Sequence, residues 1–206
     1  MKRLSSLLFV SALSLSSLSA ATVFSSGLPT TGGDVFQIAS GGTVGAFTVG
    51  GGGVDLLTSS DAQYSNQLCA GISCVDLDGT VSSSTPGGTV SGTVTLTPGT
   101  YTLTFDLFAA QRSTTASSTV TLSGPASLVN TTYTDGTFTP GLQTINITVV
   151  TGGSYTLEFA SKTPGFYGDL VGGVAINSPV PEPSTMLLMS LPLLAFGSRM
   201  FRRSRG

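Results

Sequence analysis

The strongest constraint on this chain is an alternation of period two. Tyr101, Leu103, Phe105 and Leu107 alternate with Thr102, Thr104 and Asp106. Successive side chains of an extended strand point to opposite faces, so this segment reads as a strand with one apolar face and one face lined mainly by threonine. The same signal recurs at Val94 and Leu96, at Val120 and Leu122, at Ile145, Ile147 and Val149, at Tyr155, Leu157 and Phe159, and at Leu170, Val174 and Ile176. Earlier candidates are Val35–Ala39, Thr43–Val49 and Val54–Leu57. From 22 to 178 no helical period of useful length is visible. Thr-Pro-Gly occurs at 85–87, 97–99, 139–141 and 163–165, where proline fixes φ and glycine supplies a positive φ. The spacings are irregular, which argues against a solenoid. The sequence predicts one hairpin joining Thr93–Thr97 to Tyr101–Leu107 across Pro98-Gly99. It predicts another joining Ile145–Val149 to Tyr155–Phe159 across Gly152-Gly153. Eight or so short strands with frequent turns imply an all-β, antiparallel sandwich of jelly-roll type.

Charge is scarce, at 9% of residues, and it is segregated. Lys2, Arg3, Arg199, Arg202, Arg203 and Arg205 sit at the termini. Between 22 and 180 only Arg112 and Lys162 are basic, against nine Asp and Glu, so that span carries nine negative and two positive charges. Such a body lacks the basic footprint of a nucleic-acid binder. With no histidine in the chain, triads and metal sites that rest on imidazole are excluded.

The ends read as addresses. Lys2 and Arg3 precede an apolar, serine-diluted stretch from Leu4 to Leu18, and small residues follow at Ser19, Ala20 and Ala21. This is the pattern of a secretory signal peptide over 1–21. The domain expected over 22–178 would therefore face an oxidising compartment. The tail, 179–206, has three parts in order. Pro181-Glu182-Pro183 comes first, then uncharged residues from Ser184 to Ser198, then Arg199, Arg202, Arg203 and Arg205. As a helix the uncharged part would reach about 22 Å, short of the ~30 Å hydrocarbon core unless flanking residues extend it. The arginines would hold it with the body outside.

This order of Val180-Pro181-Glu182-Pro183-Ser184-Thr185, apolar span and arginines resembles the PEP-CTERM sorting signal of Gram-negative bacteria. The resemblance implies an exosortase as partner, a transient stay in the inner membrane, processing near Pro181-Glu182-Pro183, and delivery to the cell surface or extracellular matrix.

Few residues in the body offer chemistry. Cys69 and Cys74, the only cysteines, predict a disulfide closing a small loop. Asp76-Leu77-Asp78-Gly79 resembles a fragment of a calcium loop, to which Asp55, Asp61 and Asp169 would contribute only if the fold gathers them; the alternative is a plain turn. Asp106 and Glu158 are the acids that a glycosidase-like pair would need, and nothing in the spacing fixes their separation, so a non-enzymatic role is expected. Arg112 offers a planar fork for a carboxylate, either on a sugar or on a nearby Asp. Tyr64, Tyr133 and Tyr167 stand in apparent loops, where they could stack on a sugar, although the chain has no tryptophan.

The order of Val44–Val49, Gly53–Leu56, Val75–Gly79, Gly99–Leu107, Tyr155–Ser161 and Gly172–Ile176 resembles the choice-of-anchor C family of exported proteins. That resemblance implies a galactose-binding-like jelly roll and polysaccharide contact. Phe47 replaces a tryptophan frequent in the family, and Leu170-Val171-Gly172-Gly173-Val174 departs from its usual last strand. Two roles are therefore expected: a structural or adhesive surface protein among extracellular polysaccharide, or a carbohydrate-binding module with a defined glycan.

Overall fold

The computed structural model describes residues 20–79, 87–109, 116–163 and 168–178. Ala21–Pro179 forms one compact unit. The described chain is almost entirely strand: β1 (Thr22–Ser25), β2 (Val35–Ile38), β3 (Thr43–Val44), β4 (Phe47–Gly51), β5 (Val54–Leu57), β6 (Cys74–Asp76), β7 (Gly88–Leu96), β8 (Gly99–Phe108), β9 (Ser117–Ser123), β10 (Ser127–Thr134), β11 (Gly141–Val149), β12 (Gly153–Ser161) and β13 (Leu170–Asn177), with one short helix, α1 (Ala62–Leu68). Two antiparallel sheets result. One runs β11-β8-β13-β6-β5-β2, with β1 also paired to β13; the other runs β10-β9-β12-β7-β4-β3. The jelly-roll-type sandwich expected from the alternation is therefore present. The predicted strand at Thr43–Val49 is instead two strands. Gly45 turns between them at φ 56°, so close to the Ser26 carbonyl that a side chain there would clash with it.

Both predicted hairpins are corrected. β7 pairs with β12 and β4, whereas β8 pairs with β11 and β13. The chain at Thr97-Pro98 therefore leaves one sheet and enters the other. The same happens at 150–152, where β11 ends in the seven-stranded sheet and β12 begins in the six-stranded one. Both turns are arches that lay the apolar faces of consecutive strands against each other across the core.

Each arch is tied by a tyrosine. The Tyr101 hydroxyl donates to the Thr97 carbonyl at 3.0 Å and accepts from the Thr97 amide at 3.3 Å. The Tyr155 hydroxyl donates to the Thr151 carbonyl at 2.5 Å. The two arches touch, since a Cβ on Gly152 would meet Pro98 at 3.1 Å. They also share a sequence, Thr97-Pro-Gly-Thr-Tyr-Thr-Leu-Thr-Phe105 against Thr151-Gly-Gly-Ser-Tyr-Thr-Leu-Glu-Phe159. Tyr101→Phe and Tyr155→Phe are each expected to lower unfolding free energy by about 1 kcal/mol, the net worth of one such bond, as read by urea titration.

The core is crossed by a chain of rings. Phe24 meets Phe47 at 5.6 Å, Phe47 meets Phe159 at 6.2 Å, and Phe159 meets Phe105 at 5.2 Å. Phe105 then meets Tyr133 at 5.8 Å, and Tyr133 meets Phe138 at 5.7 Å. Four of these five contacts are edge-to-face, which sets the positive rim of one ring against the negative face of the next. Tyr133 is thus a strand residue whose ring packs on the core. Its burial raises the hydroxyl pKa.

Candidate functional site

The seven-stranded sheet is split along one line. On the same edge, β13 pairs with β6 through Leu170–Gly172 and with β1 through Ala175–Asn177. Between these partners the strand bulges. Its register against β8 shifts between Gly172 and Ala175, and Gly173 adopts φ 56°. A Gly-Gly pair inside a strand permits this, because neither residue has a Cβ to strain or to fill the gap. β1 is carried past its end by the Ser26 amide, which donates to the Val174 carbonyl at 2.9 Å.

A cleft of about 350 Å³ opens at this split. The segment 25–30 forms one wall and Ile72-Ser73 the other; Gly173–Ala175 line it from β13, and Asp106 reaches it from β8. The walls are fastened together, since the Ser73 hydroxyl donates to the Pro29 carbonyl at 2.6 Å and accepts from the Ser59 amide at 2.9 Å. Asp106 lies on the outer face of β8, its neighbours Phe105 and Leu107 being buried in the core. Its carboxylate covers Gly173 so closely that a Cβ there would stand 2.4 Å from Oδ2. Burial pushes the Asp106 carboxyl above its ordinary pKa. The cleft thus combines one carboxyl group with the hydroxyls of Ser25, Ser26 and Thr30, and with the apolar side chains of Leu28 and Ile72.

The expected disulfide is formed between Cys69 and Cys74, both fully buried, with Cα atoms 6.2 Å apart. It joins the end of α1 to the start of β6 and packs with Leu57 and Leu170. The loop it closes supplies Ile72 and Ser73 to the cleft. The helix itself, seven residues long, is too short to leave a helical period in the sequence. Tyr64 sits on it and not in a loop, in a T-shaped contact with Phe36 at 6.2 Å.

The Asp76 side chain makes the hydrogen bond of a turn. Asp76 Oδ1 accepts from the Asp78 amide at 3.0 Å and from the Gly168 amide at 2.9 Å, tying two loops, while Gly79 takes φ 40°. Asp55 faces Asp76 across the β5–β6 pair, and its Oδ1 accepts from the amide of Gln37 at 2.7 Å. Gly87 and Gly168 crowd Asp78: a Cβ on Gly87 would lie 2.5 Å from its Oδ1, and one on Gly168 would lie 2.7 Å from its amide. Among the described residues no three acidic or cysteine side chains gather as a metal site would need.

Burial pushes the Asp76 carboxyl up to about 7, with Asp55 and Asp78 adding repulsion and its two amide donors working against the rise. An acid whose folded pKa lies above its unfolded value keeps its proton in the folded state after the unfolded chain has lost it. Its contribution is full below the ordinary value of 3.8 and is lost as pH climbs to about 7. The melting temperature is expected to fall across that window, and Asp76→Asn, which keeps the acceptor oxygen, to flatten the slope. Asp34, Asp78 and Asp106 are raised in the same direction, so the difference between wild type and variant is the diagnostic.

Asp106 and Glu158 do not form a catalytic pair. They lie on the outer faces of different sheets, separated by the core. Arg112, Tyr167 and the tail residues Pro181, Glu182, Pro183, Arg199, Arg202, Arg203 and Arg205 lie outside the described residues. No described helix is long and apolar enough to cross a membrane. Sequence reasoning missed the cleft, and its one sequence signal was the Gly172-Gly173 pair within a predicted strand.

Comparison with known proteins gives three results. Residues 179–203 match the PEP-CTERM protein-sorting motif. No curated protein sequence matches the chain. Solved structures with a similar arrangement of strands include TmCBM61 in complex with β-1,4-galactotriose, 13% identical, with a TM-score of 0.46 over 65% of this chain and 88% of that one. Another is carbohydrate binding module CBM6cm-2 from Cellvibrio mixtus lichenase 5A with cellotriose, 14% identical, TM-score 0.35, over 70% and 95%. A third is an exo-β-1,3-galactanase from Phanerochaete chrysosporium with β-1,3-galactotriose, 18% identical, TM-score 0.37, over 71% of this chain and 29% of that one. At these identities and scores nothing about ligand or activity transfers.

Proposed function

We propose that this chain is an exported surface protein whose sandwich, spanning 22–178, is delivered by an exosortase and serves a non-enzymatic, structural or adhesive role among extracellular polysaccharide. The observation that carries the reading is the sorting motif at 179–203. In it Pro181-Glu182-Pro183 precedes an uncharged span and a cluster of four arginines. The arginines oppose translocation and stop the chain in the membrane. The prolines keep the motif extended, where a peptidase can reach it. Removal of 1–21 and of the residues after the motif follows from this reading. The intact mass of the chain recovered from the cell surface tests it: loss of both segments is expected, and a mature chain still ending in Gly206 overturns it. The likeness to the choice-of-anchor C family belongs to the same proposal, and its support is the order of motifs from Val44 to Ile176.

One observation favours a second reading, in which the sandwich binds a glycan. The cleft at the split in the sheet offers several hydroxyls, one carboxyl group and small apolar surfaces, the mixture that suits a polyhydroxylated ligand. A glycan array probed with the full chain and with Asp106→Ala tests it. Saturable binding that the substitution abolishes supports the cleft, and absence of binding to every glycan removes this reading while leaving the first intact.

A further inference from the structure

The two sheets end differently on their two sides. On one side the edge strands are β2 and β3, of four and two residues. β2 is further interrupted by a register shift and by Gln37 at φ 61°. Edges so short and irregular offer an incoming strand little to pair with. On the other side the edges, among the described residues, are β10 and β11, of eight and nine residues. β11 lies against β8 in unbroken register from Gly141 opposite Leu107 to Val149 opposite Gly99. Neither β10 nor β11 contains a charged residue or a proline, the usual guards of an open edge. The core is only partly covered here: Leu128, Tyr133, Phe138 and Ile145 pack on it yet stay half-buried, and Leu142 is 66% exposed.

We propose that β11 is a self-pairing edge: the outer edge of the seven-stranded sheet takes β11 of a second copy of this chain, antiparallel about a two-fold axis, with the β10 edges brought alongside. A two-fold axis sets the same strand against itself, so every unpaired backbone donor and acceptor meets its complement without any second surface having evolved. With the strands fully overlapped, Ile145 faces its own counterpart on the core side and Thr144 lies across from Asn146 on the outer side, both favourable cross-strand pairs. Charge limits where two copies can meet. Two bodies that each carry nine acidic and two basic residues between 22 and 180 repel each other, and the repulsion is weakest where these two uncharged strands approach.

The test is sedimentation velocity of the full chain in mild detergent over a micromolar concentration series. The comparison variant is Thr144→Lys/Asn146→Lys, both positions being exposed on β11. Wild type is expected to pass from monomer to dimer, and the variant to stay monomeric over the same series with an unchanged melting temperature. Thr93→Lys/Thr95→Lys, exposed on β7 away from any edge, is expected to dimerise like wild type. If the doubly substituted β11 variant fails to fold, Asn146→Lys alone takes its place. A wild type monomeric throughout overturns the proposal. So does a β11 variant that associates as wild type does, which would put association in the tail, or a β7 variant that loses association equally, which would make the effect one of charge alone.

Discussion

Replacing Pro181, Glu182 and Pro183 together by alanine is expected to abolish release of the chain, leaving it in the membrane fraction with its C-terminal arginines attached. Surface-recovered protein should fall to the background set by lysed cells. The size of the effect follows from the kind of event proposed. Processing is a covalent step, and a chain that escapes it remains held by its uncharged span and by Arg199, Arg202, Arg203 and Arg205. The body should fold as before, because the motif lies beyond the last described strand, which ends at Asn177. Fractionation with an antibody to the body reads both populations. Release of the alanine variant at wild-type levels would show that Pro181-Glu182-Pro183 takes no part in sorting.

Phe159→Ala is expected to be the most damaging single change inside the body. The ring is fully buried and stands between Phe47 at 6.2 Å and Phe105 at 5.2 Å, joining the two halves of the ring chain. Truncating such a ring costs about 3–5 kcal/mol, since neighbours on regular strands cannot collapse into the space. Against a total of roughly 5–15 kcal/mol for a domain, that is a large share. Phe159→Leu, which keeps most of the volume, is expected to cost far less. The chain has no tryptophan, so tyrosine fluorescence or circular dichroism would follow the urea transition. A midpoint for Phe159→Ala within error of wild type would contradict the packing described.

The alternation of Tyr101–Leu107 and Tyr155–Phe159 fixed which face of each strand is buried, and the structure agrees at every one of those apolar positions. It did not determine the partner. Period two reports a face, and a two- or three-residue connection serves a hairpin within a sheet as well as an arch between sheets. The distinguishing signal lay elsewhere, in the two segments that run Thr-x-Gly, then Thr or Ser, then Tyr, whose tyrosine hydroxyl returns to the threonine carbonyl four residues earlier. The disulfide was legible because Cys69 and Cys74 had no other partners. The cleft was not, because it exists only where β1 and β6, with the 48 residues 26–73 between them, take turns beside one strand. Asp76 shows the same limit. A turn and a calcium loop share its local pattern, and the second amide that its carboxylate accepts from, that of Gly168, lies 92 positions further along the chain.

β13 lies inside the seven-stranded sheet, between β8 on one side and β6 and β1 on the other, and Thr22 pairs with Asn177. The first and last strands of the body therefore complete each other. A polypeptide threaded through a membrane pore from its N-terminus cannot close that sheet until almost the whole body has emerged. Loop-closure entropy makes such end-to-end pairing slow, so the position of this one strand would delay folding until export, on the proposed route, is nearly complete.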